Sequence, residues 1–337
     1  MTQRSAELRF MINDYKKIWR RRSRKLQNAA VGVTFITGMV LVLCTGNFSG
    51  EEKEYRQIHA ETVAEAVSKE ETEGYPYLAG DADRSYQFSE EELAVLLRGE
   101  IYADQLRSLY EKYPQAGRIL ADRKEYPDWL IEYFIGHEEA VDWVVEYPDY
   151  AKMDQEELVN KALLPVNLED YEKQKGIPLY FQWDQTWGYT AYGSETVATG
   201  GCGPTCLAMV ASYLTGDGSM TPKKIADFSV EEGYYTEDAG TSWSLMEEGA
   251  KKLGLSAWQI QSWSQSSIKS ELAAGHPLIC SMGPGDFTDA GHFIVLAGLT
   301  EDGKVIVNDP NSKVNSIKRW DAQVLLEQMK AMWAYTK

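Results

Sequence analysis

The pattern of apolar and polar positions divides the chain into stretches of different character. Residues 26–50 carry no charge, and their apolar heart, the eighteen residues 29–46, reads AAVGVTFITGMVLVLCTG. At a rise of about 1.5 Å per residue such a helix extends roughly 27 Å, close to the hydrocarbon thickness of a bilayer. Residues 51–70 are charged with a thin apolar stripe and read as a stalk. Ser89 three positions before Glu92 forms a capping box ahead of Leu93, Val95, Leu96 and Leu97. From there to about residue 160 the pattern predicts short helices punctuated by Tyr113-Pro114, Tyr126-Pro127 and Tyr147-Pro148. Proline suits a first helical turn and turns the residue before it away from helix, so each pair marks a boundary. Trp129, Leu130, Phe134, Ala140, Trp143 and Val144 recur at near-helical spacing and are the predicted core of this region. After about residue 170 the sequence becomes Gly- and aromatic-rich with β-branched runs. It predicts an apolar helix over about residues 205–214, a strand HFIVLAGL beginning at His292, and a returning strand KVIVND that ends at Asp309-Pro310.

Charge sharpens this division. The net charge is −17, yet residues 1–28 hold nine Lys/Arg and two acidic residues, so the basic arm stands apart from a strongly acidic body. An acidic body repels phosphate backbones, which argues against a nucleic-acid partner. The arm directly precedes the apolar stretch, and Glu51, Glu52 and Glu54 follow it. The positive-inside rule then keeps the N-terminus cytoplasmic and places the chain after about residue 50 outside the membrane. A cleaved signal peptide is the rival reading, but no small-x-small site follows; a lipoprotein signal needs a small residue before Cys44, where Leu43 stands. The expected organisation is a basic cytoplasmic arm (1–28), a transmembrane anchor (29–48), a helical stalk and Tyr-Pro region (49–170) and a second domain (171–337). Four cysteines in 337 residues exclude a disulfide-dense scaffold.

Candidate chemistry gathers in the second domain. In TGGCGPTCLAMVASYLTG, residues 199–216, Cys202 sits at a tight turn opening a helix, where unpaired N–H groups favour a thiolate. His292 starts its strand and Asp309 ends the returning one. A four-residue loop over residues 299–302 sets the two directly opposite each other, whereas a two-residue Asp302-Gly303 turn sets Asp309 opposite Leu296. Gln182, Asp184 and Trp187 form Q-x-D-x-x-W some twenty residues before Cys202, and a glutamine amide can supply an oxyanion donor. Gln185 is the weaker candidate. Cys206 and Cys280 read as structural thiols, with a disulfide between them left open. His276 reads as a turn residue, and His59 and His137 as surface or boundary residues. No Cys/His cluster has zinc spacing and no acidic run makes a calcium loop, so no metal or cofactor is expected.

Together, Q-x-D-x-x-W at residues 182–187, GCGPTCLAMV at 201–210, AGHFIVLAG at 290–298 and VNDP at 307–310 resemble the papain-like cysteine peptidases of the bacteriocin-processing type, cysteine peptidase family 39, in a stand-alone membrane-anchored form. The resemblance covers about 160 residues. It implies an α+β papain-like domain, here preceded by a transmembrane helix and a small all-helical region. It also implies Cys202 as nucleophile, His292 as general base and acid, Asp309 as the orienting group and Gln182 as oxyanion donor, acting on a peptide or protein substrate. Transporter-fused members of that family carry an ATPase, and this chain has no G-x-x-x-x-G-K-[ST] motif. Two other readings stand beside it: a cell-wall peptide amidase using the same Cys–His pair, and a non-catalytic surface binding module with a vestigial site.

Overall fold

Local signals shape the helical region as expected. The Ser89 hydroxyl accepts from the Glu92 N–H at 3.3 Å while the Glu92 carboxylate accepts from the Ser89 N–H at 2.8 Å, which opens the helix Glu90–Leu96. Tyr113 ends the helix Ala103–Lys112, and Pro114 opens a 3-10 turn. Pro127 precedes α1 (Asp128–Gly136), and Pro148 lies in the first turn of the short helix Tyr147–Tyr150. Leu130, Phe134, Ala140, Trp143 and Val144 are buried. Trp129 departs from expectation: it is half-buried and rests edge-on against Tyr147, with ring centroids 5.8 Å apart. The core of these helices also takes in Trp183 and Ala198 from beyond residue 170, so apolar packing fuses the helices to the C-terminal half of the chain.

The computed structural model describes residues 86–337 apart from Asp238, all within one unit of the chain. The expected arm, anchor and stalk, with His59 and Cys44, lie outside the described residues. Among the described residues no helix is long and apolar enough to cross a membrane.

The rest of the fold is α+β. A short helix α2 (Val197–Gly200) leads through Gly201 into α3 (Cys202–Thr215), which is buried over most of its length. α3 packs on a six-stranded antiparallel sheet built from β1 (Ser256–Gln259), β2 (Leu278–Met282), β3 (His292–Leu299), β4 (Val305–Asn308), β5 (Arg319–Trp320) and β6 (Met329–Thr336). Their order is β5-β4-β3-β2-β6-β1. Successive side chains of a strand point to opposite faces, and both faces here are apolar. Phe293, Val295 and Ala297 join the core that holds α3, whereas Ile294 and Leu296 join a second core with Ile268 and Leu325. β3 is therefore buried on both sides, which fixes its register firmly. Between β4 and β5 runs a short helix, α4 (Lys313–Ile317).

The β3–β4 hairpin corrects the expected pairing. Its loop is Glu301-Asp302-Gly303, closed by Thr300 N–H to Lys304 O at 2.9 Å, with Gly303 in the left-handed region at φ +80°. A three-residue loop ending in a left-handed glycine is a common hairpin form. Val305 pairs with Leu299 and Ile306 with Gly298, but Val307 then pairs with Leu296, leaving Ala297 as an extra residue in β3. Asn308 pairs with Val295, so the register runs on to set Asp309 beside Ile294 and two positions along from His292. A displacement of two preserves the face, and diagonal side chains remain within reach. Without the extra residue, Asp309 would have faced away from His292; the bulge is what re-aims it.

The shared core generates a stability prediction. Trp143→Ala, in the helical region, should cost about 3–5 kcal/mol. In urea it should move the unfolding of helices and sheet together, and a mutant whose sheet signal keeps the wild-type midpoint would contradict a single cooperative core.

Candidate active site

Cys202 is the first residue of α3, and its N–H is among those at a helix start that have no intrahelical acceptor. A Cβ on Gly201 would stand 2.4 Å from the Val197 carbonyl, so only glycine permits the tight passage from α2 into α3. Cys202 is partly exposed, whereas Cys206, one turn further, and Cys280 in β2 are fully buried. Burial raises both of those thiols well above the ordinary cysteine value. All three thiols are free, so the disulfide left open by the sequence is not formed. Buried and protonated, Cys206 and Cys280 are inert packing residues.

His292 opens β3 and is 7% exposed. Its Nε2 lies 2.7 Å from Asp309 Oδ1, and Cys202 is among the groups that raise the ring's affinity for a proton. Burial alone would lower the imidazole's affinity for a proton. The Asp309 carboxylate outweighs it and, with Cys202 adding to the effect, lifts the value to about 10.

Asp309 is itself held on several sides. Asn315 Nδ2 donates to Oδ2 at 2.9 Å, the Asn311 N–H donates to Oδ1 at 2.9 Å, and the Asp309 N–H donates to Ser316 Oγ at 2.9 Å. The sequence reading missed Asn315 and Ser316. The available signal was Ser312, whose hydroxyl accepts from the Asn315 N–H at 3.1 Å and caps α4.

Gln182 reaches both halves of this arrangement. Its N–H donates to Pro310 O at 2.8 Å, beside Asp309, and its Nε2 donates to Ala198 O at 2.6 Å, one turn before Cys202. Its Oε1 is buried without a hydrogen-bond partner. The other motif residues fold the turn that presents it: Thr186 N–H donates to Asp184 Oδ1, and the Trp187 indole to Phe181 O, each at 2.8 Å. Gln185 turns away and donates to Asp142 O at 3.1 Å.

The helical region borders the same place. Tyr133 of α1 donates its hydroxyl to Ala198 O at 3.0 Å, the carbonyl that Gln182 also uses. His137 stacks on Tyr133 with ring centroids 4.3 Å apart. It is a boundary residue, as expected, but burial lowers its pKa and the charge of His292 lowers it further. His276 is a turn residue beside β2, its Nδ1 2.7 Å from Glu271 Oε2. Among the described residues no group of three His, Cys, Asp or Glu side chains could hold a metal ion.

Residues 174–337 match the Peptidase_C39 like family. That segment contains Cys202, His292, Asp309 and Gln182. A crystal structure from Bacillus anthracis, assigned as a C39-like peptidase, is similar over 48% of this chain and 96% of its own, with 17% identity and a TM-score of 0.32. No curated protein matches the chain.

The raised His292 value has a consequence for stability. A folded-state value above the ordinary 6.5 means that protonated His292 stabilises the fold fully below that pH, and the contribution is lost as pH rises through about 10. Urea midpoints of the wild type should fall across that window, and those of Asp309→Asn should fall less. Parallel pH profiles for the two proteins would contradict the assigned coupling.

Proposed function

We propose that this protein is a cysteine peptidase whose nucleophile is Cys202. The observation that carries the reading is the buried His292 hydrogen-bonded through Nε2 to Asp309 at 2.7 Å, with the partly exposed Cys202 among the groups that raise the ring's proton affinity. A partly exposed thiol, a buried imidazole and a buried orienting carboxylate make up the arrangement that acyl transfer to sulfur requires. The match of residues 174–337 to a peptidase family supports it.

In the first step Sγ attacks the carbonyl carbon of the scissile amide with the proton of the Cys202–His292 pair already on the imidazole, whose proton affinity Asp309 raises. The negative charge developing on the carbonyl oxygen is met by the Cys202 N–H and by the second N–H of Gln182, whose first is held by Ala198 O. The imidazolium returns its proton to the leaving nitrogen, the C–N bond breaks, and an amine departs from a thioester. Water then loses a proton to His292 and attacks the thioester, releasing a carboxylic acid and restoring the starting Cys202–His292 pair. Asp309 holds the ring in one tautomer throughout.

We further propose that residues 29–48 anchor the chain in a membrane with the catalytic domain outside, in keeping with the apolar run and its basic flank. A reporter fused after residue 55 should then be active only if it is of the type that works outside the membrane.

Hydrolysis of a peptide library by the purified protein tests the activity. Cys202→Ala and His292→Ala should abolish turnover, and Asp309→Asn should leave a residue of it. Gln182→Ala should cost about 3 kcal/mol in the transition state with little change in KM. Cys206→Ala should cleave peptides as wild type, and loss of activity there with retention in Cys202→Ala would move the nucleophile. Cleavage of purified wall material in preference to every peptide would favour the amidase reading.

A further inference from the structure

Glu139 belongs to the helical region, yet its carboxylate is spent on the other end of the chain. It accepts from the Ser312 hydroxyl at 2.6 Å, the Lys313 N–H at 2.6 Å and the Val314 N–H at 3.2 Å. These are the groups at the start of α4, where backbone donors lack intrahelical partners and an acidic group is favourable. The Ser312 hydroxyl that donates to Glu139 also accepts from the Asn315 N–H at 3.1 Å. Asn315 in turn donates from Nδ2 to Asp309 Oδ2 at 2.9 Å, and Ser316 of the same helix accepts from the Asp309 N–H. On its far side α4 is pinned by the Trp320 indole, which donates to Asn315 O at 2.9 Å. The Lys313 ammonium lies over the rings of Phe181 and Trp183, on either side of Gln182, at 5.8 and 5.4 Å from their centroids. A continuous set of hydrogen bonds therefore runs from Glu139 through α4 to Asp309 and on to His292.

Docking alone would not require this. The helical region already shares a core with Trp183 and Ala198, and a half-buried carboxylate carries a desolvation cost that an apolar side chain at position 139 would avoid. Burial does raise the Glu139 carboxyl, against its three hydrogen-bond donors. What the carboxylate adds is direction. It fixes the azimuth and axial position of a helix too short to be held by its own hydrogen bonds.

We infer that Glu139 is a positioning residue for the Asp309–His292 pair, acting through α4, so that the helical region is a working part of the catalytic centre. This rests on the reading of Cys202 as nucleophile, and the experiment separates the two. The full chain would be compared with Glu139→Gln, Ser312→Ala, Asn315→Ala and the Glu139→Gln/Asn315→Ala double variant. Arg107→Ala serves as a control, since it breaks only an ion pair with Glu90 inside the helical region. Two quantities are read: kcat and KM on a cleaved peptide, and the rate of iodoacetamide alkylation of Cys202, resolved by peptide mass mapping at one pH. A displacement of order 1 Å can cost about 100-fold in rate. Each of the Glu139 and Asn315 variants should therefore lose roughly 10- to 100-fold in kcat, with KM within about twofold and Cys202 alkylation slowed in step. The double variant should be no worse than the poorer single one, because both changes cut the same chain of contacts. Ser312→Ala, which does not touch the helical core, should show a partial loss even if Glu139→Gln proves unstable, and Arg107→Ala should match wild type. Wild-type kcat in either Glu139→Gln or Ser312→Ala, losses that multiply in the double variant, or an effect confined to KM would overturn the inference. A wild-type protein with neither peptide turnover nor preferential Cys202 alkylation would overturn the functional reading itself, and this inference with it.

Discussion

The hydrogen bond between His292 and Asp309 is the constraint around which the rest of the sheet domain is arranged. Both side chains are almost wholly buried, and a buried ionisable pair is stable only when its remaining donors and acceptors are satisfied. The fold meets that condition from two directions. β3 and β4 bring the imidazole and the carboxylate to one face, and the bulge at Ala297 corrects the parity of their register. α4 and the Asn311 backbone then occupy both carboxylate oxygens. With those contacts made, the carboxylate can lift the imidazole's proton affinity in a place where burial would otherwise depress it.

The Ala198 carbonyl is the second point of convergence. It stands one turn before Cys202 and accepts from both Gln182 and Tyr133. Thus α2, the segment carrying Gln182 and helix α1 meet at a single atom one turn before Cys202. Because Ala198 and Trp183 also lie in the core of the Tyr-Pro helices, those helices are packed against the Gln182 side of the site as well as tied to Asp309 through α4. The helices and the sheet domain share packing and hydrogen bonds at the place where chemistry is proposed.

Much of this was legible in residue patterns, for identifiable reasons. The strand beginning at His292 announced itself by a continuous apolar run, because it is buried on both faces. The helix opening at Cys202 followed from flanking glycines and a small-apolar run, and the Tyr-Pro pairs marked helix ends through backbone sterics that operate locally. The hairpin register was not legible. A left-handed Gly303 shortens the loop to three residues, and the extra residue in β3 reflects packing on both faces of the sheet rather than any local signal. That His292 and Asp309 still meet follows from the even displacement between them. Glu139 and Asn315 escaped for a different reason. Glu139 meets α4 across 173 positions of sequence, a separation at which no periodicity or spacing rule operates. Trp129 was placed in the core by its spacing, but it lies at the margin of the stripe and rests edge-on against Tyr147.

The most direct test is to catch the covalent intermediate. The wild-type protein would be mixed with a peptide it cleaves, quenched in acid within the first turnover and digested, and its cysteine peptides weighed. Attack by Cys202 predicts an acyl group on the peptide containing Cys202, removable by hydroxylamine as a thioester is, and absent from His292→Ala. Peptide cleavage with no acyl group at Cys202, or with the adduct at Cys206 or Cys280, would contradict it.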